Sequence, residues 1–177
     1  MASIARHARV SVQTVYNAVG RKPALLKGVW DITLAGDFEP VPMLDRHLAT
    51  SVWEAPDGRE ALRRYARMGR VIYARVAPVV PVLLAAAGNP DVRPVWAAVD
   101  AEHAAGTNAV ARSLAEKYGL RDGLSAAEAA DILWTLTSPD VADRLVRRRG
   151  WSLERYEGWL GNAMADSLIG DRATSTT

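Results

Sequence analysis

Helical patterning runs through almost the whole of this 177-residue chain. Between Asp91 and Tyr118, apolar residues recur every three or four positions, which places them on one face of an α-helix. Ser125 and Glu128 have the spacing of a capping box, a pattern that starts many helices. Val, Ile and Thr never alternate with polar residues for long enough to predict a strand. The sequence therefore predicts an all-α protein.

Proline, glycine and capping residues divide this pattern into about eight helices with short connections. Ser11 is a predicted N-cap, and Gly20 is expected to end the helix that follows it. Pro78 and Pro81 are expected to kink or interrupt one long helix. The predicted helices span residues 2–8, 12–19, 23–35, 43–54, 59–77 with a continuation to 87, 91–118, 126–149 and 152–168.

Composition excludes several classes of protein. The chain has no cysteine, which removes disulfides, thiolate nucleophiles and Cys-ligated zinc. No apolar run approaches the roughly 18 residues of a membrane span, and the N-terminus lacks the pattern of a secretory signal. We therefore expect a cytoplasmic protein without a membrane partner. Glycine-rich phosphate loops and the turn that presents a catalytic serine are also absent from the sequence.

Charge is divided unevenly along the chain. Residues 1–30 contain five basic side chains and no acidic one, whereas the other 147 residues contain 17 basic and 20 acidic side chains. The segment Gly-Asp-Phe-Glu-Pro-Val-Pro at 36–42 breaks the helical pattern between the two parts. We predict a basic head (residues 1–35), a mildly acidic helical body (36–171) and a polar tail (172–177). A basic head indicates a polyanionic partner at one end.

The first two predicted helices have the lengths and the tight turn of a helix-turn-helix. The second helix carries short polar side chains on its outer face, as entry into the major groove of DNA requires. Its inner face, Val15 and Val19, is expected to pack against Ile4 and Ala8 across the turn. The candidate DNA-binding residues are Val12, Gln13 and Asn17 toward base edges, Thr14 and Tyr16 toward phosphates, and Lys22 beside the start of the third helix.

A specific run of residues spans this head: Ile4-Ala5-x-x-Ala8-x-Val10-Ser11-x-x-Thr14-x-Tyr16, followed by Gly20-x-Lys22 and Leu25-Leu26. The run resembles the helix-turn-helix of the TetR (tetracycline-repressor-like) family of transcriptional regulators. Residues 125–140 and 149–160 are also similar to the last two helices of many actinobacterial-type members.

This resemblance implies a homodimer in which the last two helices of each chain form a four-helix interface. It also implies a palindromic double-stranded DNA operator and an apolar small-molecule effector that binds in the helical body. No cofactor is implied. The predicted function is a ligand-responsive repressor, with DNA read in successive major grooves about 34 Å apart.

The sequence departs from the family's pattern in two places. The family's turn usually reads Ala-Gly-Val, whereas this chain has Ala8-Arg9-Val10. Since that position favours a positive φ, Arg9 is expected to store about 1 kcal/mol of strain or to change the turn. The family also places a further helix before the position of Ser3. Its absence predicts weak DNA binding by this form, and a start codon assigned too late is the preferred explanation over a shortened clone or a natural truncation.

The body contains candidates for two further sites, each with a simpler explanation as ordinary core. His103 stands apart as either a satisfied core histidine or a hydrogen-bonding group of a pocket. The candidate ligand-pocket residues are Tyr65, Met68, Trp96, His103, Thr107 and Trp134. The candidate dimer residues are Leu133, Trp151, Tyr156 and Trp159.

Catalysis and metal binding are not expected. His7, His47 and His103 are far apart, and Asp100-x-x-His103 is half of a di-iron pattern without a second copy. The alternative to a regulator is a dimeric, ligand-binding helical module that lacks functional DNA binding. The salt dependence and sequence preference of DNA binding separate the two.

Overall fold

A computed structural model describes residues 1–170, in which every regular element is helical and no strand occurs. The prediction of an all-α protein is confirmed. The predicted polar tail, 172–177, lies outside the described residues. No single helix within residues 1–170 has the length and apolarity to cross a membrane. Only the two helices at residues 58–76 and 80–86, taken together, would have that length and apolarity. These two helices are bent by 73° relative to each other.

Three helices form the N-terminal part: α1 (Ala2–Ala8), α2 (Val12–Val19) and α3 (Lys22–Ala35). Ser11 begins α2 as predicted, because its Oγ accepts a hydrogen bond of 3.0 Å from the backbone N–H of Thr14. Gly20, with φ of 75°, ends α2. The three sequence-predicted ranges therefore agree with the structure to within one residue.

The remaining helices form the body around a central α5. After a 3-10 turn at Met43–Asp45 they are α4 (His47–Trp53), α5 (Gly58–Val76), α6 (Val80–Ala86), α7 (Arg93–Tyr118), α8 (Ala126–Leu136), α9 (Pro139–Asp143), the π-helical turn Arg144–Arg148 and α10 (Leu153–Leu168). The predicted interruption between Pro78 and Pro81 separates α5 from α6. The predicted capping box at Ser125 and Glu128 is formed by both hydrogen bonds.

Two predicted helices are wrong in extent. The expected helix 126–149 divides after Leu136, because Pro139 holds Ser138 in an extended conformation with ψ of 133°. The chain then restarts as α9 and passes into the π-helical turn. The expected helix 43–54 begins only at His47, because Arg46 is extended with ψ of 151°. The C-terminal part of the body is therefore more segmented than its apolar pattern predicts.

The core of the body lies mainly between α5 and α10. Leu62 and Ala66 on α5, and Leu160, Met164 and Leu168 on α10, are completely buried. Full burial of a leucine side chain stabilises the folded state by about 2 kcal/mol relative to leaving it exposed. This helix pair forms the scaffold on which α3, α4, α7 and α8 pack.

Candidate nucleic-acid interface and ligand cluster

The outer face of α2 presents the polar side chains that the sequence predicts for DNA contact. Gln13, Thr14 and Asn17 are exposed, and Gln13 Nε2 donates a 2.8 Å hydrogen bond to Asn17 Oδ1. Tyr16 and Val12 are 43% and 40% exposed. The amide pair sets the orientation of both side chains before any ligand is bound. Five of the six candidate DNA-binding residues thus lie on α2 with exposed side chains.

The sixth candidate, Lys22, lines a cleft of about 730 Å³ beside α2. Tyr16, Arg21, Pro23 and Asp91 form the rest of its wall. Arg21 and Lys22 therefore lie next to a candidate phosphate-contacting tyrosine, at the first turn of α3. Arg21 was not among the residues predicted for DNA contact, although its position next to Lys22 at the start of a helix could have indicated it.

The turn between α1 and α2 contains a strained arginine. Arg9 has φ of 56° and ψ of 38°, a left-handed conformation, and it is the single non-glycine residue of positive φ in residues 1–170. Its backbone N–H donates to Arg6 O over 3.2 Å, which ends α1. The positive φ that the sequence predicts at this position is confirmed.

The core beneath α1 and α2 is small. Ala5 and Val15 are buried, at 2% and 6% exposure. Ile4, Ala8 and Val19, the other residues predicted to pack across this turn, are exposed and add no buried residue to this core. Since buried apolar area supplies most of the folding free energy, these two helices depend on few contacts for their position.

Side chains of the body contact α3 at two points, one in its first half and one at its C-terminal end. Lys27 Nζ lies 2.9 Å from Glu102 Oε1 on α7. Near the C-terminus of α3, Arg75 Nη1 on α5 donates to Ala35 O over 2.8 Å. Gly36, with φ of 87°, leaves room for that guanidinium, since a Cβ there would lie 2.5 Å from Arg75 Cζ. The head is therefore attached to two helices of the body.

Three of the predicted pocket residues form a hydrogen-bonded or stacked cluster around Thr137. His103 Nε2 lies 2.9 Å from Thr137 Oγ1, and Tyr65 hydrogen-bonds to the same hydroxyl. The ring centroids of His103 and Trp134 are 6.1 Å apart. Burial lowers the pKa of His103 to about 4 and raises that of Tyr65 to about 12, so both are neutral near pH 7. Thr137 was not predicted from the sequence.

Of the other predicted pocket residues, two belong to the packed interior. Met68 and Thr107 are buried, and Trp96 is partly buried. Thr107 Oγ1 donates to Ala104 O over 3.1 Å, so its hydroxyl is satisfied within α7. The 730 Å³ cleft beside α2 and a second cleft of about 790 Å³, where α5 begins and α7 ends, contain none of the six predicted residues.

The four predicted dimer residues differ in what they offer to a second copy. Leu133 and Tyr156 are covered within the protomer, at 0% and 1% exposure. Trp151 and Trp159 are partly exposed and pack edge to face, with centroids 6.0 Å apart. The guanidinium of Arg155 lies 4.0 Å from the Trp151 ring centroid. The partly exposed aromatic surface of the C-terminal region therefore consists of these two tryptophans.

A buried carboxylate organises the π-helical turn. Asp143 has no exposed surface and accepts hydrogen bonds from Arg147 Nε over 2.6 Å and from Arg148 Nε over 3.1 Å. These arginines, Arg147 first, lower the pKa of Asp143. Two of the three consecutive arginines in the sequence are therefore half exposed and pair with a buried carboxylate, which is a structural role.

The described residues contain no group of three or more His, Asp or Glu side chains that is arranged to hold a metal ion. Comparison of the chain with protein-family models, curated proteins and solved structures gave no match. The features that bear on function are therefore the geometry of the head and of the cluster around Thr137.

Proposed function

We propose that the protein is a DNA-binding transcriptional regulator, in keeping with the resemblance of its head to the TetR family. The observation that carries the proposal is α2, whose polar face is uncovered while Val15 alone anchors it from below. Every basic residue of the first 30 positions lies on or beside α1–α3, with no acid among them. A short helix with exposed amides, next to a concentration of positive charge, suits insertion into the major groove.

Two substitutions test the assigned roles on DNA. Fluorescence anisotropy with sites selected from a random pool measures affinity for preferred and unrelated sequences. Gln13→Ala is expected to weaken binding to preferred sites by about 1–3 kcal/mol and to leave unrelated DNA unaffected. Lys22→Ala is expected to weaken binding to both and to lower the salt slope by about 1. Arg112→Ala removes one exposed charge from α7 and serves as the control.

The small core of α1 and α2 sets the expected strength of binding. A recognition helix that is free to shift must be ordered when DNA binds, and this ordering reduces the net free energy of binding. We expect the chain of 177 residues to bind its preferred sites more weakly than the usual 10⁻⁸–10⁻¹¹ M. Loss of all sequence preference would favour the alternative, a ligand-binding helical module without functional DNA binding.

We propose that the regulator acts as a homodimer on a palindromic operator and represses until a small molecule binds in its body. We propose an interface that includes Trp151, just before α10, and Trp159 on α10. Gly158 is exposed on that helix, and a Cβ there would meet nothing within 4 Å. Gly158→Arg should therefore leave the protomer folded and dissociate the dimer in sedimentation velocity. Gly88→Arg, at another open position, is the matched control.

A further inference from the structure

The helices α7 and α8 present a surface on which acidic residues are not balanced by basic ones. No Lys or Arg occurs between positions 94 and 111 or between 122 and 143. The same stretches contain acids on α7 and α8, including Asp100 and Asp131. Glu102 is paired with Lys27, but Asp100 has no hydrogen-bond or ion-pair partner within residues 1–170. The potential of this surface is therefore negative, opposite to that of the head.

The hydrogen bonds around Thr137 determine which nitrogen of His103 carries the proton. Thr137 has one hydroxyl hydrogen, which it donates to Leu133 O over 2.7 Å. Since Thr137 Oγ1 must then accept at its contact with His103, Nε2 of the imidazole is the donor. The imidazole is neutral near pH 7, so Nδ1 carries a lone pair. No hydrogen bond to Nδ1 is formed by the part of the chain that the structure describes.

Asp100 adds a second acceptor next to His103. The two lie one turn apart on α7, a spacing that brings Cβ atoms within about 5–6 Å. Asp100 is partly buried, and burial raises the pKa of its carboxyl. A carboxylate removed in part from water and not paired with a cation is less stable than one that has a cationic partner.

Aromatic rings flank these two acceptors. Trp134, across from His103 on α8, packs on the imidazole and is 39% exposed, so part of its indole face is open to a ligand. Trp96 lies one turn before Asp100 on α7 and is partly buried. Indole faces attract cations through their negative potential.

We propose that Asp100, His103, Trp96 and Trp134 form the binding site of a protonated amine attached to an aromatic ring. The ammonium group donates hydrogen bonds to the Asp100 carboxylate and to His103 Nδ1, while the ring stacks on Trp134. A carboxylate or phosphate ligand is repelled, since both polar groups are acceptors and no cation lies on either stretch. The site rests on the ligand-responsive role proposed above and specifies the charge of the effector.

Three probes of one size and different charge test this assignment: benzylammonium, benzyl alcohol and benzoate. Each is titrated into the full chain, with tryptophan fluorescence and calorimetry as readouts. We expect benzylammonium to bind at least tenfold more tightly than benzyl alcohol, and benzoate not to bind. Equal affinity for the three, or preference for benzoate, overturns the proposal.

Substitutions locate the bound probe. Asp100→Asn should weaken benzylammonium binding at least tenfold, and Trp134→Ala should also weaken it. Trp134→Phe keeps an aromatic face, so calorimetric binding should persist while most of the fluorescence change disappears. Glu116→Gln removes a negative charge from an exposed position near the other end of α7 and should change nothing. Unchanged binding by Asp100→Asn, with that variant folded by circular dichroism, overturns the site.

DNA binding is measured separately on the same samples, so the two proposals fail independently. Amine binding without any sequence-dependent DNA binding leaves the site standing and removes the regulator. Sequence-dependent DNA binding without amine binding removes the site and leaves the regulator.

Discussion

Lys27 of α3 and Glu102 of α7 form an ion pair, with Nζ 2.9 Å from Oε1, that joins the head to the body across 75 positions of sequence. Glu102 directly precedes His103, whose imidazole contacts Thr137 beyond α8. One turn of α7 therefore contacts both α3, which follows the proposed DNA-binding helix α2, and the proposed amine site. A ligand that shifts this turn changes the support of α3, which is the physical requirement for coupling the two sites.

Removing this ion pair should loosen the head without unfolding the body. Glu102→Gln is expected to lower the free energy of unfolding by less than about 1 kcal/mol, since Glu102 is well exposed and exposed pairs are weak. Amide hydrogen exchange should nevertheless become faster in α3, because one of its polar contacts with the body is lost. Glu116→Gln is the charge-matched control, and equal exchange in α3 for both variants would contradict the coupling role.

The sequence predicts local features of this fold better than contacts between helices. Ser11, Gly20 and the Ser125 capping box act through residues within four positions, so their roles can be read from the chain itself. The contact of His103 with Thr137 spans 34 positions and depends on how α7 and α8 pack. Such pairs follow from the packing of whole helices, which a single sequence does not encode position by position.

One local feature was missed for a different reason. The apolar residues of segment 126–149 continue the helical pattern past Pro139. The prediction gave this pattern more weight than the proline. In the structure Pro139 occupies the first turn of α9, where a missing N–H costs nothing. In the head, the local structure was predicted correctly, since α2 is a helix. The exposure of Val19 on that helix was not predicted, because it depends on what packs around it.

Replacing the strained turn residue should stabilise the head. Arg9→Gly is expected to raise the free energy of opening of α1 and α2 by about 1 kcal/mol, because glycine adopts φ of 56° without a steric penalty. Arg9→Ala removes the same charge and keeps the Cβ, so it isolates the backbone effect. Hydrogen exchange of α2 measures the change. Equal protection in the glycine and alanine variants would show that φ at this position is not a source of strain.

The buried histidine should make stability fall in mild acid. The pKa of His103 is about 4 in the folded chain, because of burial, and about 6.5 when unfolded. As pH falls from about 6.5 towards 4, the unfolded state binds a proton that the folded state does not, so stability decreases. His103→Gln keeps an N–H donor for Thr137 and should remove most of this decrease. Urea unfolding between pH 7 and 4 measures this decrease in stability, and His47→Gln, at an exposed histidine, is the control. If the decrease persists in His103→Gln, another group is responsible for it.

Acid should also remove the stabilising contribution of the charge at the π-helical turn, but at a lower pH than it acts through His103. Arg147 and Arg148 lower the pKa of the buried Asp143, so its contribution to stability is present above the unfolded pKa of about 3.9 and is lost as pH falls through the lower folded pKa. Asp143→Asn leaves both guanidinium groups without their counterion and should cost about 2 kcal/mol at pH 7, a moderate value because both arginines are half exposed. The difference between wild type and variant in urea unfolding should shrink below about pH 4. Asp140→Asn, whose carboxylate is partly exposed to water, is the comparison, and an equal cost for the two variants would show that burial of Asp143 does not decide the effect.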